Sequence, residues 1–263
     1  MMKKMVVLFF CFLVAGSAQG AGTKPFKRVS FTTEDGIIIE GKLALAQSAK
    51  KPTVLLLHGV GSVKEEWDTF AELLSKQGMG VFSYDARAHG KSTRTRLGKT
   101  ISTDDFIRDA DDKEWLKMVG DVGMALRVLE KNYGIKKQTL LLCGASIGAN
   151  IALRYAADHP EISGVILLSP GLNYRGVTIP DILNRTGNCA LFVAVSPNDQ
   201  YAYQSVASMQ RSFASQGKQA LLTVHIETEN QGHGVQMFKR WHHQQPSQLE
   251  NNLVDWIKLQ EKN

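Results

Sequence analysis

The chain has 263 residues, of which 43% are hydrophobic and 21% charged, with a formal net charge of +6. This is ordinary globular composition, which excludes disordered, collagen-like and repeat architectures, and at this length one α/β sheet can bury most of its unfolded surface as a single domain. The charge is too mild to imply nucleic acid. The one basic cluster, Arg87, Lys91, Arg94, Arg96 and Lys99, is interleaved with Ser and Thr but no aromatics, as a solvated loop is.

Met1 to Lys4 carry two lysines, Met5 to Ala15 run almost wholly apolar, and Ala18-Gln19-Gly20 offers small residues where a signal peptidase reads. The pattern predicts a secretory signal over 1–20 and a domain over 21–263, exported to the periplasm or medium of a bacterium. The apolar run is about half of the ~20 residues a spanning helix needs, so no stable membrane anchor is expected after cleavage. Phe9-Phe10 stand where a lipoprotein signal ending at Cys11 would want small residues. Setting Lys3 and Lys4 aside leaves a net charge of +4.

Two segments, 26–33 and 37–46, flank Asp35-Gly36 and read as an antiparallel hairpin. Short apolar runs at 53–57, 81–84, 139–143, 165–168, 191–195 and 221–226 then read as buried strands. Between them, 65–77, 113–133, 147–158, 201–216 and 247–258 space apolar residues three and four apart, as helices do. Alternation of this kind predicts an α/β fold: a mostly parallel eight-stranded sheet with an antiparallel edge and helices on both faces. The weakly patterned stretches 94–112 and 171–188 are loops or a minimal cap. On this topology Cys143 and Cys189 lie on strands separated by a third, about two spacings of ~4.8 Å, and are expected to be free, buried thiols.

Ligands of such sheets bind where the carboxyl ends of the strands release their loops. Gly144-Ala145-Ser146-Ile147-Gly148 stands there, after a strand and before a helix, a setting that exposes the Ser146 hydroxyl on a sharp turn. A serine hydroxyl needs a base to take its proton and an acceptor to orient that base. His233, in Gly232-His233-Gly234 after the last strand, is the candidate base, with a backbone-bonded loop histidine as the alternative reading. Asp199, directly after the strand 191–195, is the candidate acid, with a helix-capping aspartate as the alternative. His225, within a strand, His159, before Pro160, and His242-His243 read as structural. No set of side chains has metal-ligand spacing, and no cofactor is implied. His58-Gly59-Val60-Gly61 ends the strand 53–57, and the amides of Val60 and Ile147 are candidate donors to an oxyanion, with His58 holding the loop.

With these residues in place the sequence resembles the α/β-hydrolase superfamily with a serine nucleophile. Asp85-Ala86-Arg87-Ala88-His89-Gly90-Lys91-Ser92 is similar to the D-x-R-G-H-G-x-S segment of its monoglyceride lipase and serine aminopeptidase relatives, with Ala88 in place of a Gly. The sequence also resembles dienelactone hydrolase-like members. The resemblance implies Ser146 as nucleophile, His233 as base, Asp199 as acid, and Val60 and Ile147 as oxyanion donors, acting on a small-molecule acyl substrate. It also implies an open or lightly capped site, because only 171–188 stands where relatives insert a lid. Tyr174, Trp67, Tyr201 and Tyr203 are candidate pocket residues, with ordinary packing as the alternative. The expected function is that of an exported serine hydrolase cleaving a carboxylic ester through an acyl-enzyme. Three alternatives stay open: a serine peptidase, with Glu227 or Glu229 holding the substrate amine, a cofactor-free haloperoxidase that shares the triad, and a catalytically idle binding domain of the same fold. The residues leave the oligomeric state unspecified.

Overall fold

The computed structural model describes residues 26–107, 113–238 and 245–261; the expected signal sequence and His242-His243 lie outside the described residues. The chain opens on the antiparallel pair β1 (Lys27–Thr32) and β2 (Ile37–Ala44), joined through Gly36 at φ 86°. There follow β3 (Thr53–Leu57), α1 (Asp68–Lys76), β4 (Gly80–Tyr84), β5 (Arg94–Thr95), α2 (Thr103–Ile107), α3 (Lys113–Tyr133), β6 (Leu140–Ala145), α4 (Ile147–Ala157) and β7 (Gly164–Leu168). The small hairpin β8 (Asn173–Tyr174) and β9 (Val177–Thr178) precedes β10 (Ala190–Val195), α5 (Gln200–Ser215), β11 (Leu222–Ile226) and α6 (Gln248–Leu259).

The sheet runs β1-β2-β4-β3-β6-β7-β10-β11, parallel from β4 onward, so the expected eight-stranded sheet with its antiparallel edge is present. The two-residue β5 adds a short pairing to β2 within a stretch read as loop. Alternate residues of each central strand serve opposite faces: Leu55 and Leu57 join Trp115, Leu126, Ile151 and Met209 under α3, α4 and α5. Val54 and Leu56 join Phe70, Leu74, Leu253 and Ile257 under α1 and α6. Each such side chain, fully buried, contributes about 1.5–3 kcal/mol, which is why these strands are apolar at every position.

Cys143, on β6, and Cys189, just before β10, are buried and free, with β7 between those two strands; burial pushes the Cys189 thiol up to about 12. One expectation is corrected. Arg87 is not part of a solvated loop: its guanidinium is 2% exposed, bonded to both Asp121 carboxylate oxygens at 2.6 and 2.7 Å and to Asp35 at 2.8 Å. A cation among carboxylates is buried by its partners, not by its neighbours in sequence, and those partners stand on β1–β2 and α3.

Candidate active site

Ser146 stands between β6 and α4 at φ 56°, ψ −124°, a backbone conformation that costs a non-glycine residue about 1–3 kcal/mol. The surroundings impose it. A Cβ on Gly144 would lie 2.2 Å from the Gly148 carbonyl, and one on Gly148 would lie 2.3 Å from the Leu57 carbonyl oxygen. The two flanking glycines therefore let helix, strand and the neighbouring β3 loop close onto one another, and the Ser146 N–H is fixed on the Leu168 carbonyl at 2.9 Å.

The loops after β10 and β11 bring the next two residues together. His233 donates through Nδ1 to the Asp199 carboxylate at 2.6 Å. Asp199 is also the N-cap of α5, accepting from the Ala202 N–H at 3.5 Å, so the helix cap and the bond to His233 are made by the same carboxylate. Burial works to raise the Asp199 carboxyl, but the hydrogen bonds from His233 and Ser169 outweigh it and hold the group below the usual carboxylate range. His233 and Ser146 line a single open cavity of about 290 Å³, together with Gly59, Val60, Glu66 and Gln236.

Two glycine-bearing loops lean on each other beside this cavity. His58, after β3, donates through Nδ1 to its neighbour Gly59's carbonyl at 2.8 Å and accepts the Ala86 N–H on Nε2 at 2.9 Å. His89, from the loop after β4, donates to the Arg87 carbonyl at 2.9 Å and accepts the Gly61 N–H on Nε2 at 3.3 Å. Each ring accepts an amide of the other's loop. Each must therefore be neutral, and burial lowers both: His58 falls to about 4. Asp85 completes the clamp by accepting the Lys64 and Lys91 amides at 2.9 Å and the Lys64 ammonium at 2.7 Å. The amides of Val60 and Ile147 are engaged by no described residue, and Ile147 is the first residue of α4, where the helix supplies no acceptor.

Of the candidate pocket residues, Tyr203 is exposed on α5 and Tyr174 reaches the site. Its ring stands edge-on to His233 with centroids 6.2 Å apart, its hydroxyl has Ser146 as a side-chain hydrogen-bond neighbour, and it donates to the Ser169 carbonyl at 3.2 Å. Tyr201 instead holds both backbone groups of Asn173 at 2.9 Å, bracing the hairpin that carries Tyr174. Trp67 does not line the cavity: it is fully buried against Phe70 and Phe238 on the α1–α6 face, because its place just before α1 turns it towards the core. Glu227 accepts the Glu229 and Asn230 amides at 2.8 and 2.9 Å and is spent on its own loop.

Two residues of the site escape sequence reasoning. Ser169, after β7 at φ 51°, bonds Asp199 and accepts the Gly234 N–H at 2.9 Å, tying the loops that carry Asp199 and His233 together. Its only signal is a serine directly following a buried strand. Glu66 accepts the Gly59 N–H at 3.1 Å and lines the cavity wall, and burial pushes its carboxyl up. It hides in a run, Lys64-Glu65-Glu66, that reads as helix surface.

Residues 48–211 match the profile of the family described as serine aminopeptidase, S33. The chain belongs to this family. Among relatives of this S33 chain, a monoglyceride lipase homolog of monkeypox virus is 33% identical over 129 residues, 48% of this chain and 41% of that protein. A thiohydrolase of Aspergillus aculeatus is 27% identical over 165 residues, 61% of this chain and 47% of that protein. The chain thus spans under half the length of these curated relatives. Among solved structures, an esterase of Pyrococcus furiosus superposes with a TM-score of 0.68 at 21% identity, covering 90% of this chain and 92% of that one. A dienelactone hydrolase of Anabaena variabilis gives 0.65 at 15% identity, covering 92% and 100%. With the sheet order above, these superpositions identify the fold as that of the α/β-hydrolases.

Proposed function

We propose that this S33 protein is an exported serine hydrolase that cleaves a carboxylic ester through an acyl-enzyme. The observation that carries the reading is the 2.6 Å bond from His233 Nδ1 to Asp199, with His233 lining the same cavity as Ser146 on its strained turn. Asp199 orients the ring so that Nε2 faces the cavity as an acceptor. His233 takes the Ser146 proton as Oγ attacks the ester carbon, and the carbonyl oxygen gains charge against the Val60 and Ile147 amides. The tetrahedral centre collapses with loss of the alcohol, which receives that proton from His233. Water, activated by the same ring, then releases the acid and frees Ser146. Tyr174 packs the His233 ring in place, and the clamp of His58, His89 and Asp85 holds the oxyanion loop. Export rests on the amino-terminal pattern, with residues 1–20 removed.

Glu66 favours a second reading, peptide cleavage, since a carboxylate on the cavity wall suits a substrate ammonium. Labelling by a serine-directed fluorophosphonate, read by intact mass, tests the main proposal. One adduct is expected on the wild type and none on Ser146→Ala; absence of an adduct on folded wild type would favour an idle binding domain. Hydrolysis of aminoacyl anilides in preference to esters would move the assignment to a peptidase.

A further inference from the structure

The two sides of Ser146 differ in the room they offer, and the difference specifies the acyl group, provided the ester-hydrolase reading holds. His233 must pass its proton to the departing oxygen, so the leaving group lies on the His233 side. That side is the open cavity of about 290 Å³, walled by Ser62, Glu66 and Gln236. The acyl group, bound to the same carbon, must then extend to the other side of the Val60 and Ile147 amides.

There the chain closes in. Leu57, Tyr84, Trp115, Met118 and Ile151 bound a chamber behind those amides that leaves only about 10 Å³ for the centre of a water-sized body. That is room for about one water molecule, and a methyl group is of similar size. The loops after β3 and β4 supply part of the wall, and packed elements supply the rest: Leu57 ends β3, Ile151 lies in α4, Met118 and Trp115 in α3, and all four are at most 4% exposed. Trp115 is further wedged edge-on between Phe106 at 5.7 Å and His89 at 6.1 Å, centroid to centroid. Among the described residues its buried indole N–H has no partner, and a hydrocarbon chain threaded past it would offer none.

We propose that this chamber selects an acetyl-sized acyl group, making the protein a short-acyl esterase with a permissive, polar leaving-group side. Each further methylene has to displace packed side chains, and rejection of one extra methylene by a closed pocket runs from roughly tenfold upward.

The test is kcat/KM for p-nitrophenyl acetate, butyrate and octanoate, measured on purified protein beside fluorophosphonate labelling. A fall of roughly tenfold or more from acetate to butyrate is expected, with octanoate lower again. Met118→Ala, which removes most of one wall, should raise the butyrate-to-acetate ratio by about tenfold; Ile151→Ala is a second variant acting on the same space. Equal or rising kcat/KM from acetate to octanoate overturns the acyl-size assignment while leaving ester hydrolysis standing. An unchanged ratio in both folded variants overturns the role of the chamber. No hydrolysis of any of the three esters together with no label on folded protein overturns the ester-hydrolase reading itself.

Discussion

His58 binds the loop after β3 to the loop after β4 only while its ring is neutral, because Nε2 must accept the Ala86 N–H and Nδ1 already donates to the Gly59 carbonyl. Burial lowers it from 6.5 to about 4. An unfolded histidine takes up its proton as pH falls through 6.5, whereas the folded one holds out until about 4, so folding loses stability across that window. The loss amounts to about 3 kcal/mol at its limit. Glu66, whose carboxyl is raised, works the other way, while the lowered Asp85 and Asp199 add their own loss below about 4. The urea midpoint is expected to drop from pH 6.5 to pH 4, with the slope flattened in His58→Gln; a wild-type midpoint level across that range would show that the ring is not buried neutral. At Asp199 the expectation concerns rate. Asp199→Asn should keep the fold, since an amide oxygen still caps α5, yet lower kcat by on the order of 10⁴, measured with p-nitrophenyl acetate. The bond between Asp199 and His233 and the anchoring by His58 of its own loop were legible because Asp199 and His58 each follow on a strand end. Trp67 was not, since nothing in an aromatic's local sequence says which face of the sheet it will meet.

Elements carry the constraint where backbones approach. A Cβ at Gly148 would lie 2.3 Å from the Leu57 carbonyl oxygen, and neither α4 nor β3 can yield, so Gly148→Ala should cost on the order of 4 kcal/mol or prevent folding. Gly61 is the contrasting case: its φ is 71° but nothing lies within 4 Å of a Cβ there, and Gly61→Ala should cost only about 1 kcal/mol. Comparing the two urea midpoints separates steric closure of the elbow from the general strain of a left-handed residue. Arg87 joins the loop after β4 to β1–β2 and α3 through Asp35 and Asp121. Arg87→Met would strand Asp121, itself raised by burial, and is expected to cost about 3–5 kcal/mol, with part regained in Arg87→Met/Asp121→Leu. The longer strands and the five longer helices were readable because each repeats its period, whereas α2, five residues within a stretch read as loop, spans little more than one helical turn. β5, β8 and β9, two residues each, establish none, and the hairpin that brings Tyr174 to the site was therefore invisible beyond its weak patterning.

What no local pattern supplies is the order of the strands. Alternating strands and helices give the class, but the pairing of β3 with β6, Leu56 opposite Cys143, joins segments far apart in sequence and is fixed only by how both faces close. The site inherits this. His58, Ser146, Ser169, Asp199 and His233 leave five different strands, so their juxtaposition exists only when β3, β6, β7, β10 and β11 lie side by side. The two apolar layers share those same strands, Leu55 facing one and Leu56 the other, so neither layer retains its floor if the other melts. One cooperative unit should result. Three signals then fall at one urea concentration: far-UV circular dichroism for the helices, tryptophan emission for Trp115 on one face with Trp67 and Trp256 on the other, and fluorophosphonate labelling for the site. Loss of labelling well before the helices melt would mean that the loops after β10 and β11 detach from an intact sheet, and that the Ser169 bonds to Asp199 and Gly234, not the shared core, set the working limit of the site.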